Sequence, residues 1–476
     1  MRYQFRTLSR RGLMTEMLGL AGVSLLPSPL LAASSASAAA APIVLESQET
    51  PFVLPGCSAP STLWSYKAGW PVEVRLKRGQ MSHLLLRNQL KDHTSIHWHG
   101  VRVPLAMDGV PYITQDPVKT GDEFLYSFAP PDPGTFFFHP HCMTAEALGR
   151  GLAGVLVVED PREDGLFDQD HTLAVKDWRV GQDGAYQAFV TDRGAARAGT
   201  FGSRRSINGG SPPVITVAPG TRLRLRLLNL DVTRIMTLEA TGAAVAVIAT
   251  DGNACPPFPV TGWRLGPAMR VDLALTAPTK AGTKVLIQDS WGQEPFTLAT
   301  VVTEGVARRR DNRPLILPAA ELPEPDLSDA QVFPLSLQAG VSDPALDAWL
   351  KDNRFGDEAL CRSDKLFWAI NGKAWPAMDM DKRPPPLAEL KSGRTYVAEI
   401  ANHTQHPHPV HLHGHTFRVE SSSRGPTRRQ WVDTVLAAPD ERVRIAFVAG
   451  EPGDWMLHCH IIEHQETGMM GYIRVT

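Results

Sequence analysis

A threefold internal repeat constrains the fold of this 476-residue chain more than any other feature. In each copy a glycine is followed nine residues later by an asparagine, across an apolar-rich segment; the pairs are Gly79 and Asn88, Gly220 and Asn229, and Gly393 and Asn402. Short runs rich in Val, Leu, Ile and Thr alternate with Gly, Pro and Asp turns, which is typical of an all-β sandwich or barrel. The repeat therefore predicts three homologous β-domains in a chain too long for a single core.

The first forty residues form a separate segment. Arg10 and Arg11 precede a moderately apolar run from Leu18 to Leu31, and a stretch of Ala and Ser follows it to about Ala41. This order is typical of a cleavable twin-arginine export signal, so we expect the protein to be exported to the periplasm. No other stretch is apolar enough to span a bilayer. The net charge of −2 favours neither nucleic acid nor an anionic membrane as a partner.

These landmarks predict the boundaries of the segments. We expect the export signal at residues 1–41, domains at 42–160, 165–305 and 331–476, and a linker at 306–330. The linker is rich in Arg, Pro, Asp and Glu, which favours a solvated strap between the second and third domains.

The histidines follow the repeat. The chain has sixteen, and they form six His-x-His pairs, far more than random placement would give. Nine and eleven residues after the repeat asparagine, the first copy has His97 and His99 and the third has His411 and His413. The middle copy has Leu238 and Ala240 at these places.

A second landmark behaves in the same way. Five and seven residues after a glycine lie His139 and His141 in the first domain, and His458 and His460 in the third. The middle domain has Ile287 and Asp289 there. The outer domains therefore bring four histidines each, enough for a metal cluster at their interface, and the middle domain is expected to act as a spacer without metal.

The segment His458-Cys459-His460 predicts two neighbouring metal sites. On a β-strand, residues two apart share a face, so the two histidines point one way and the cysteine points the other. Cys459, together with His464 and the thioether of Met469, suits a mononuclear copper site with a weak axial ligand. The corresponding positions of the first domain hold no such ligands, so this site occurs only once; the residues there are Thr94, Pro140, Ala145 and Arg150.

With four such motifs in order, the chain resembles the three-domain multicopper oxidases; the motifs are His97-Trp98-His99-Gly100, His139-Pro140-His141, His408-Pro409-x-His411-x-His413 and His458-Cys459-His460-x3-His464-x4-Met469. The resemblance covers the whole chain after the export signal. It implies three cupredoxin-like Greek-key β-sandwich domains and four copper ions. The type 1 ion would be bound by His408, Cys459, His464 and Met469, and the type 2 ion by His97 and His411. The type 3 pair would be bound by His99, His139, His141, His413, His458 and His460.

The resemblance also implies the activity. A reducing substrate would give single electrons to the type 1 copper, and four electrons would reduce dioxygen to water at the other three ions. A laccase-like oxidase with phenols or aromatic amines as donors is the leading interpretation. The alternative is a periplasmic cuprous-ion oxidase, but the stretch Phe367 to Leu390 has only Met378 and Met380 as thioethers for Cu(I). A remote alternative is a non-enzymatic structural factor, which predicts gaps in the histidine motifs.

Acids near the cluster would supply protons for oxygen reduction. Asp108 matches the aspartate that the family places beside the cluster, and it also suits a turn before Gly109. Bacterial relatives often place a glutamate directly after the second type 1 histidine, but Gln465 stands there in this chain. We therefore expect Glu466 or a water chain to deliver protons instead, or turnover to be slower.

Two further features stay open in the sequence. Asp433 lies in the region where a substrate could approach the type 1 site, and a structural turn explains it equally well. The four cysteines other than Cys459 could make two disulfides or none; these are Cys57, Cys142, Cys255 and Cys361.

Overall fold

The computed structural model describes residues 41–308, 313–339, 366–375 and 384–476. The predicted export signal, apart from its last residue, lies outside these ranges, as do Cys361, Met378 and Met380. In the described part, no helix is both long enough and apolar enough to cross a membrane.

The first domain contains two four-stranded sheets, ordered β2-β1-β4-β6 and β3-β8-β7-β5. Its strands are β1 (Ile43–Phe52), β2 (Ser61–Ser65), β3 (Val72–Lys77), β4 (Ser82–Asn88), β5 (His97–His99), β6 (Glu123–Phe128), β7 (Gly134–His139) and β8 (Gly154–Glu159). Helix α1 (Thr144–Gly149) and short 3-10 helices at Leu105–Met107 and Pro161–Glu163 complete it.

The middle domain contains sheets of six and five strands, ordered β10-β9-β12-β17-β14-β15 and β11-β19-β18-β13-β16. Its strands are β9 (Gln169–Trp178), β10 (Arg204–Ile207), β11 (Val214–Val217), β12 (Arg222–Asn229), β13 (Met236–Thr241), β14 (Ala246–Thr250), β15 (Asn253–Pro259), β16 (Trp263–Leu265), β17 (Arg270–Thr276), β18 (Lys284–Asp289) and β19 (Phe296–Thr303). One short helix, α2 (Asp192–Ala195), lies between β9 and β10.

The third domain has the same plan, with sheets ordered β21-β20-β23-β28-β25-β26 and β22-β30-β29-β24-β27. Its elements are β20 (Gln331–Ala339), β21 (Trp368–Ile370), β22 (Ala388–Leu390), β23 (Thr395–Asn402), β24 (His408–Leu412), β25 (Phe417–Ser422), β26 (Trp431–Val432), β27 (Thr434–Ala437), β28 (Arg442–Val448), β29 (Gly453–Cys459), α3 (Ile462–Glu466) and β30 (Met470–Val475).

The topology repeats along with the sequence. In each domain the first long strand pairs in parallel with the strand that ends at the repeat asparagine; these pairs are β1 with β4, β9 with β12 and β20 with β23. In each second sheet the strand after the repeat asparagine pairs with a strand that begins near the second glycine; these pairs are β5 with β7, β13 with β18 and β24 with β29. The prediction of three homologous β-sandwich domains is confirmed.

The repeat asparagine has the same structural role in all three domains. The side-chain amide of Asn88 donates to the carbonyls of Asp92 and Val118, and its oxygen accepts from the amide of Leu90. Asn229 and Asn402 make the equivalent sets of bonds, and all three side chains are buried. Because a buried amide must be satisfied, this residue holds the end of its strand against two neighbouring segments of the same domain.

Each domain has its own apolar core between its two sheets. The strap after the middle domain, described from residue 313, is tied to both outer domains. Glu321 pairs with Arg78 of the first domain at 3.2 Å, and Glu324 pairs with Arg418 of the third. Both glutamates are exposed, as expected for a solvated linker.

Candidate metal centres

One group of buried side chains surrounds Cys459, the last residue of β29. Its Sγ lies 3.5 Å from Nδ1 of His408 and 3.7 Å from Nδ1 of His464, and the two Nδ1 atoms are 3.0 Å apart. Met469 is fully buried, and its carbonyl accepts a hydrogen bond from the Cys459 amide. The structure therefore brings together three of the residues that the sequence predicts for the mononuclear copper site, His408, Cys459 and His464, while the axial role of Met469 stays a prediction.

Hydrogen bonds orient both imidazoles of this group. Nε2 of His408 lies 2.8 Å from Oγ1 of Thr404, and Nε2 of His464 donates to the carbonyl of Arg197 at 2.6 Å. The Nδ1 atoms are left facing the sulfur. Burial lowers the pKa of His408 well below its usual value and that of His464 to about 3.

The thiol completes a donor set that fits copper. Burial raises the pKa of Cys459 far above that of an exposed thiol, so the sulfur ionises here only when a cation replaces its proton. One thiolate and two neutral imidazoles in a water-poor pocket form a soft ligand set that matches a copper electron-transfer site.

The second group consists of eight histidines, four from each outer domain, none of them more than 2% exposed; they are His97, His99, His139, His141, His411, His413, His458 and His460. Paired strands position them in each domain. On β5 and β7, His97 lies opposite His139, and on β24 and β29, His411 lies opposite His458.

Histidines of the two outer domains interleave. The ring of His97 stacks on that of His413, and the ring of His99 stacks on that of His411, with centroids 3.7 Å apart in both pairs. Nε2 of His413 lies 3.2 Å from Nε2 of His458. The cluster is therefore an interface, and neither outer domain contains it alone.

The outward ring nitrogens of four histidines in this cluster donate to backbone carbonyls. Nδ1 of His97 donates to the carbonyl of Asp108 at 2.9 Å, and Nδ1 of His411 donates to that of Asp433 at 2.8 Å. His139 and His458 donate to the carbonyls of Pro140 and Cys459. These bonds fix the tautomer, so the Nε2 atoms carry lone pairs.

Several ring nitrogens that face the interior of the cluster make no hydrogen bond within the described residues. Within the described residues, Nε2 of His97, His139 and His411 and Nδ1 of His99 are buried without a hydrogen-bond partner. Burial lowers the pKa of His99, His139, His413, His458 and His460 well below the usual value, so these rings are neutral. Converging neutral imidazoles with unused lone pairs fit a cluster of copper ions.

A single strand end connects the two groups. His458 and His460 face the eight-histidine cluster, while Cys459 between them faces His408 and His464. Nδ1 of His458 also donates to the Cys459 carbonyl at 3.0 Å. The alternation expected from a β-strand therefore places the two candidate metal sites back to back.

Asp108 lies directly beside the cluster. It is 1% exposed, its Oδ2 accepts from Nδ1 of His413 at 3.0 Å, and its Oδ1 lies 3.2 Å from Nδ1 of His97. The turn is present as well, because Gly109 has φ +80° and a Cβ there would lie 1.7 Å from the Ile96 carbonyl oxygen. The turn positions the carboxylate between rings of both domains; proton delivery by Asp108 stays a prediction.

Asp433 does not lie where a substrate could reach it, so the proposed substrate contact is wrong. Its side chain is buried, with Oδ1 3.1 Å from Nε2 of His99. The guanidinium of Arg270, on β17 of the middle domain, donates to both carboxylate oxygens at 2.9 and 2.6 Å. Asp251 of the same domain accepts from the amides of Asp433 and Thr434. The middle domain thus does more than separate the other two, since it holds an acid against the cluster.

All three domains meet at Gly100, which follows the first histidine pair. A Cβ at this glycine, which has φ +82°, would lie 2.2 Å from Oδ2 of Asp433 and 2.5 Å from Nη2 of Arg270. Only a residue without a side chain leaves room for this ion pair.

The segment after His464 contacts the first domain. Burial raises the pKa of Glu466 to about 7, and its Oε1 accepts from the Ala145 amide of α1 at 3.3 Å. Gln465 is 3% exposed, with Nε2 3.5 Å from Oγ1 of Thr144 and with Oε1 buried and unpartnered among the described residues. Both side chains lie against the chain that continues from His141, which keeps the proton-delivery prediction open.

Cys57, Cys142 and Cys255 are free thiols. Because two disulfides would need a bridge among these three, that alternative is wrong for the described chain.

Comparisons with known proteins agree with this geometry. Family models described as multicopper oxidase match residues 50–163, 169–294 and 362–476. A solved multicopper oxidase from Pseudomonas thermotolerans is 36% identical, covers 92% of this chain and 99% of its own, and superposes with a TM-score of 0.81. A laccase from Phlebia radiata is 28% identical over 79% of this chain and 77% of its own length. The laccase-like multicopper oxidase CueO from Ochrobactrum sp., whose described activity is towards lignin model compounds and lignosulfonate, is 25% identical, covers 91% of this chain and 97% of its own, and has a TM-score of 0.73.

Proposed function

Because the chain belongs to the multicopper oxidase family, it is a copper-dependent oxidoreductase with dioxygen as electron acceptor, and we propose that phenolic and other aromatic compounds are its donors. The observation that carries this proposal is the pair of complete, buried ligand sets back to back around His458-Cys459-His460. A structural factor without activity would not need either set.

We infer four copper ions per chain. His408, Cys459, His464 and Met469 would hold one ion, His97 and His411 another, and the remaining six histidines of the cluster a pair. When bound, copper supplies the one-electron transfers from donor to dioxygen, which is reduced to water.

The surroundings of His464 favour an aromatic donor over a cuprous ion. In the described part of the chain, its outward nitrogen is covered by the backbone carbonyl of Arg197, and the exposed residues of the segment 191–200 are Asp192, Arg193, Ala196 and Arg197. These residues include no thioether and only one carboxylate, whereas a cuprous-ion donor would need soft ligands such as thioethers. The similarity to a laccase and to an oxidase of lignin model compounds supports the same class of donor.

The protein's own residues prepare the cluster for oxygen chemistry. All eight histidines are buried, so bulk water is excluded. Asp108 contacts one ring from each outer domain and fixes their relative position. Asp433 does the same for His99 and His411 through its side chain and carbonyl.

The substitution Gln465→Glu tests whether a carboxylate next to His464 would increase the rate of oxygen reduction. We expect oxygen reduction to become about threefold to tenfold faster, because a general acid replaces an amide beside Thr144. The measurement is the rate at which dioxygen reoxidises the fully reduced enzyme, with Gln465→Leu as the control of equal burial. An unchanged rate in Gln465→Glu would show that Glu466 or water already delivers protons fast enough.

The first experiment is to load the purified chain with copper, count the metal and follow oxygen uptake with a phenol and with Cu(I) in parallel. About four ions per chain, an intense blue band and phenol-driven uptake are expected for the proposed function. Oxygen uptake with Cu(I) but not with the phenol would show that the protein is a metal-ion oxidase. Fewer than two copper ions per chain, together with no oxygen uptake, would contradict the oxidase proposal.

We also infer export by the twin-arginine route, on the evidence of Arg10, Arg11 and the apolar run after them. The test is cell fractionation. Lys replacements at both arginines should retain the protein in the cytoplasm, and equal export of this variant would contradict the inference.

A further inference from the structure

The outward nitrogen of His464 is not available to a donor molecule. The ring is fully buried, and its Nε2–H is used in a 2.6 Å hydrogen bond to the carbonyl oxygen of Arg197. An imidazole nitrogen has only one proton to donate. A phenol therefore cannot accept a hydrogen bond from this ring while the segment around Arg197 is in place.

The middle domain supplies this cover, which we call the cover segment, residues 191–200. Its two ends are held by one carboxylate: Glu463 accepts from the Thr191 amide at 2.8 Å, from Thr200 Oγ1 at 2.9 Å, and from the Thr200 amide. Arg179 neutralises that carboxylate at 2.9 Å, and both members of the pair are buried. The segment is thus anchored at both ends by a satisfied, buried ion pair.

The cover segment is also anchored in its middle. Oγ1 of Thr191 caps α2 by accepting from the Gly194 amide at 2.9 Å. Nε1 of Trp368, whose ring centroid lies 4.5 Å from that of His464, donates to the Ala195 carbonyl at 2.6 Å. These hydrogen bonds hold the Arg197 carbonyl in place against the ring of His464.

Among the described residues, a single peptide group lies between the His464 ring and the exposed residues Ala196 and Arg197. Ala196 and Arg197 are exposed, while the carbonyl of Arg197 points inward to the ring. The route from the other imidazole is longer, because Nε2 of His408 contacts the buried Thr404, which in turn contacts the half-buried His406. Trp368 is 2% exposed and does not offer a surface either.

The charge at this place is positive. Arg197 and Arg193 are the exposed cations of the cover segment, and Asp192 is its single acid. Glu463 and Arg179 beneath the segment cancel each other.

We propose that donors dock on the exposed face of the cover segment, pass electrons across the Arg197–Ala198 peptide to His464, and are selected as anions by the Arg197 guanidinium. The inference rests on the proposed function and narrows its substrate class to aromatic donors with a carboxylate, sulfonate or phenolate group. Each donor loses one electron, and a donor that carries a phenol hydroxyl also releases that proton to water. Four such oxidations supply the four electrons that, with four protons taken up from solvent, reduce one dioxygen to two waters.

The test compares two outer-sphere donors of opposite charge, ferrocyanide and a trimethylammonium-substituted ferrocene, at low ionic strength. The rate at which each bleaches the blue band without oxygen is measured in the parent, Arg197→Gln and Arg197→Glu. For Arg197→Gln we expect about a fivefold slower reaction with ferrocyanide and a faster one with the cation, both effects larger in Arg197→Glu and removed by salt. The backbone carbonyl remains in every variant, so the blue band and its potential should not change.

Two controls make the test specific. Arg193→Gln removes an exposed charge from the same cover segment but not from the residue whose carbonyl contacts His464, so its effect should be distinctly smaller. Calorimetry with hexacyanocobaltate(III), which is redox-inactive, measures docking on the metal-free chain, and affinity should fall in Arg197→Gln. Equal effects on both donors, or equal effects of the two arginines, would overturn the inference alone. A parent that neither donor bleaches would overturn the proposed function together with it.

Discussion

Arg270→Met is expected to lower the stability of the protein by about 3 to 5 kcal/mol, because it leaves a buried carboxylate without its counter-charge. Arg270 is fully buried and forms a two-pronged ion pair with Asp433. A second carboxylate, Asp251, lies 3.5 Å from the same guanidinium. Burial, and then the charge of Asp433, raise the pKa of Asp251 to about 7, so the site already holds as much negative charge as it can stabilise.

The same substitution is expected to disturb the eight-histidine cluster, since Asp433 contacts both His99 and His411. The measurements are the urea midpoint of unfolding and the electron paramagnetic resonance signal of the type 2 copper. Arg205→Met, which breaks the 3.0 Å ion pair with Asp289 in the same domain, is the matched control. Arg205→Met should lower the urea midpoint of unfolding without changing the resonance signal of the type 2 copper.

A double variant separates charge from packing. If the unpaired carboxylate causes the loss, Arg270→Met combined with Asp433→Asn should recover most of the stability that Arg270→Met loses. An unchanged midpoint together with an unchanged copper signal in Arg270→Met would refute a role of the middle domain at the cluster.

Cys459→Ser is expected to abolish the blue absorption and turnover while leaving the eight-histidine cluster intact. A serine hydroxyl in this buried pocket does not ionise and is a hard ligand, so one copper ion per chain should be lost. The cluster should keep its metal, because Cys459 faces His408 and His464 while its two neighbours face the other way.

Copper content, visible absorption, oxygen uptake and the type 2 resonance signal of Cys459→Ser test this expectation. Cys142→Ser is the matched control, since Cys142 is also a buried thiol directly after a cluster histidine but lies in the first domain. Its blue band should be that of the parent. A blue band in Cys459→Ser would mean that another sulfur binds the ion.

The sequence was sufficient to predict those features of the fold and of the site that depend on local backbone geometry. Strand alternation placed Cys459 and its neighbouring histidines on opposite faces, as the structure has them. The glycine–asparagine repeat predicted the domains because each asparagine closes the same pair of loops in every copy. The sequence did not reveal the role of His415, which is buried, with Nδ1 donating to the His413 carbonyl and Nε2 accepting from the Gly450 amide.

Contacts between domains could not be predicted in this way. Arg270 and Asp433 are 163 residues apart, and His464 and Arg197 are 267 residues apart. No periodicity within a strand or helix records such a pairing. The sequence left the substrate contact and the turn at Asp433 equally open, because Arg270, the partner of its buried carboxylate, lies in another domain.

Gly100 limits how this chain can be recombined with its relatives. The space that it leaves in the first domain is filled by Arg270 of the middle domain and Asp433 of the third. A chimera that exchanges the first domain keeps that clearance only if the donor domain also has glycine there. An exchange of the middle domain must likewise bring an arginine at the start of β17. The crossover points of functional chimeras are therefore set by this three-way contact as well as by the linkers.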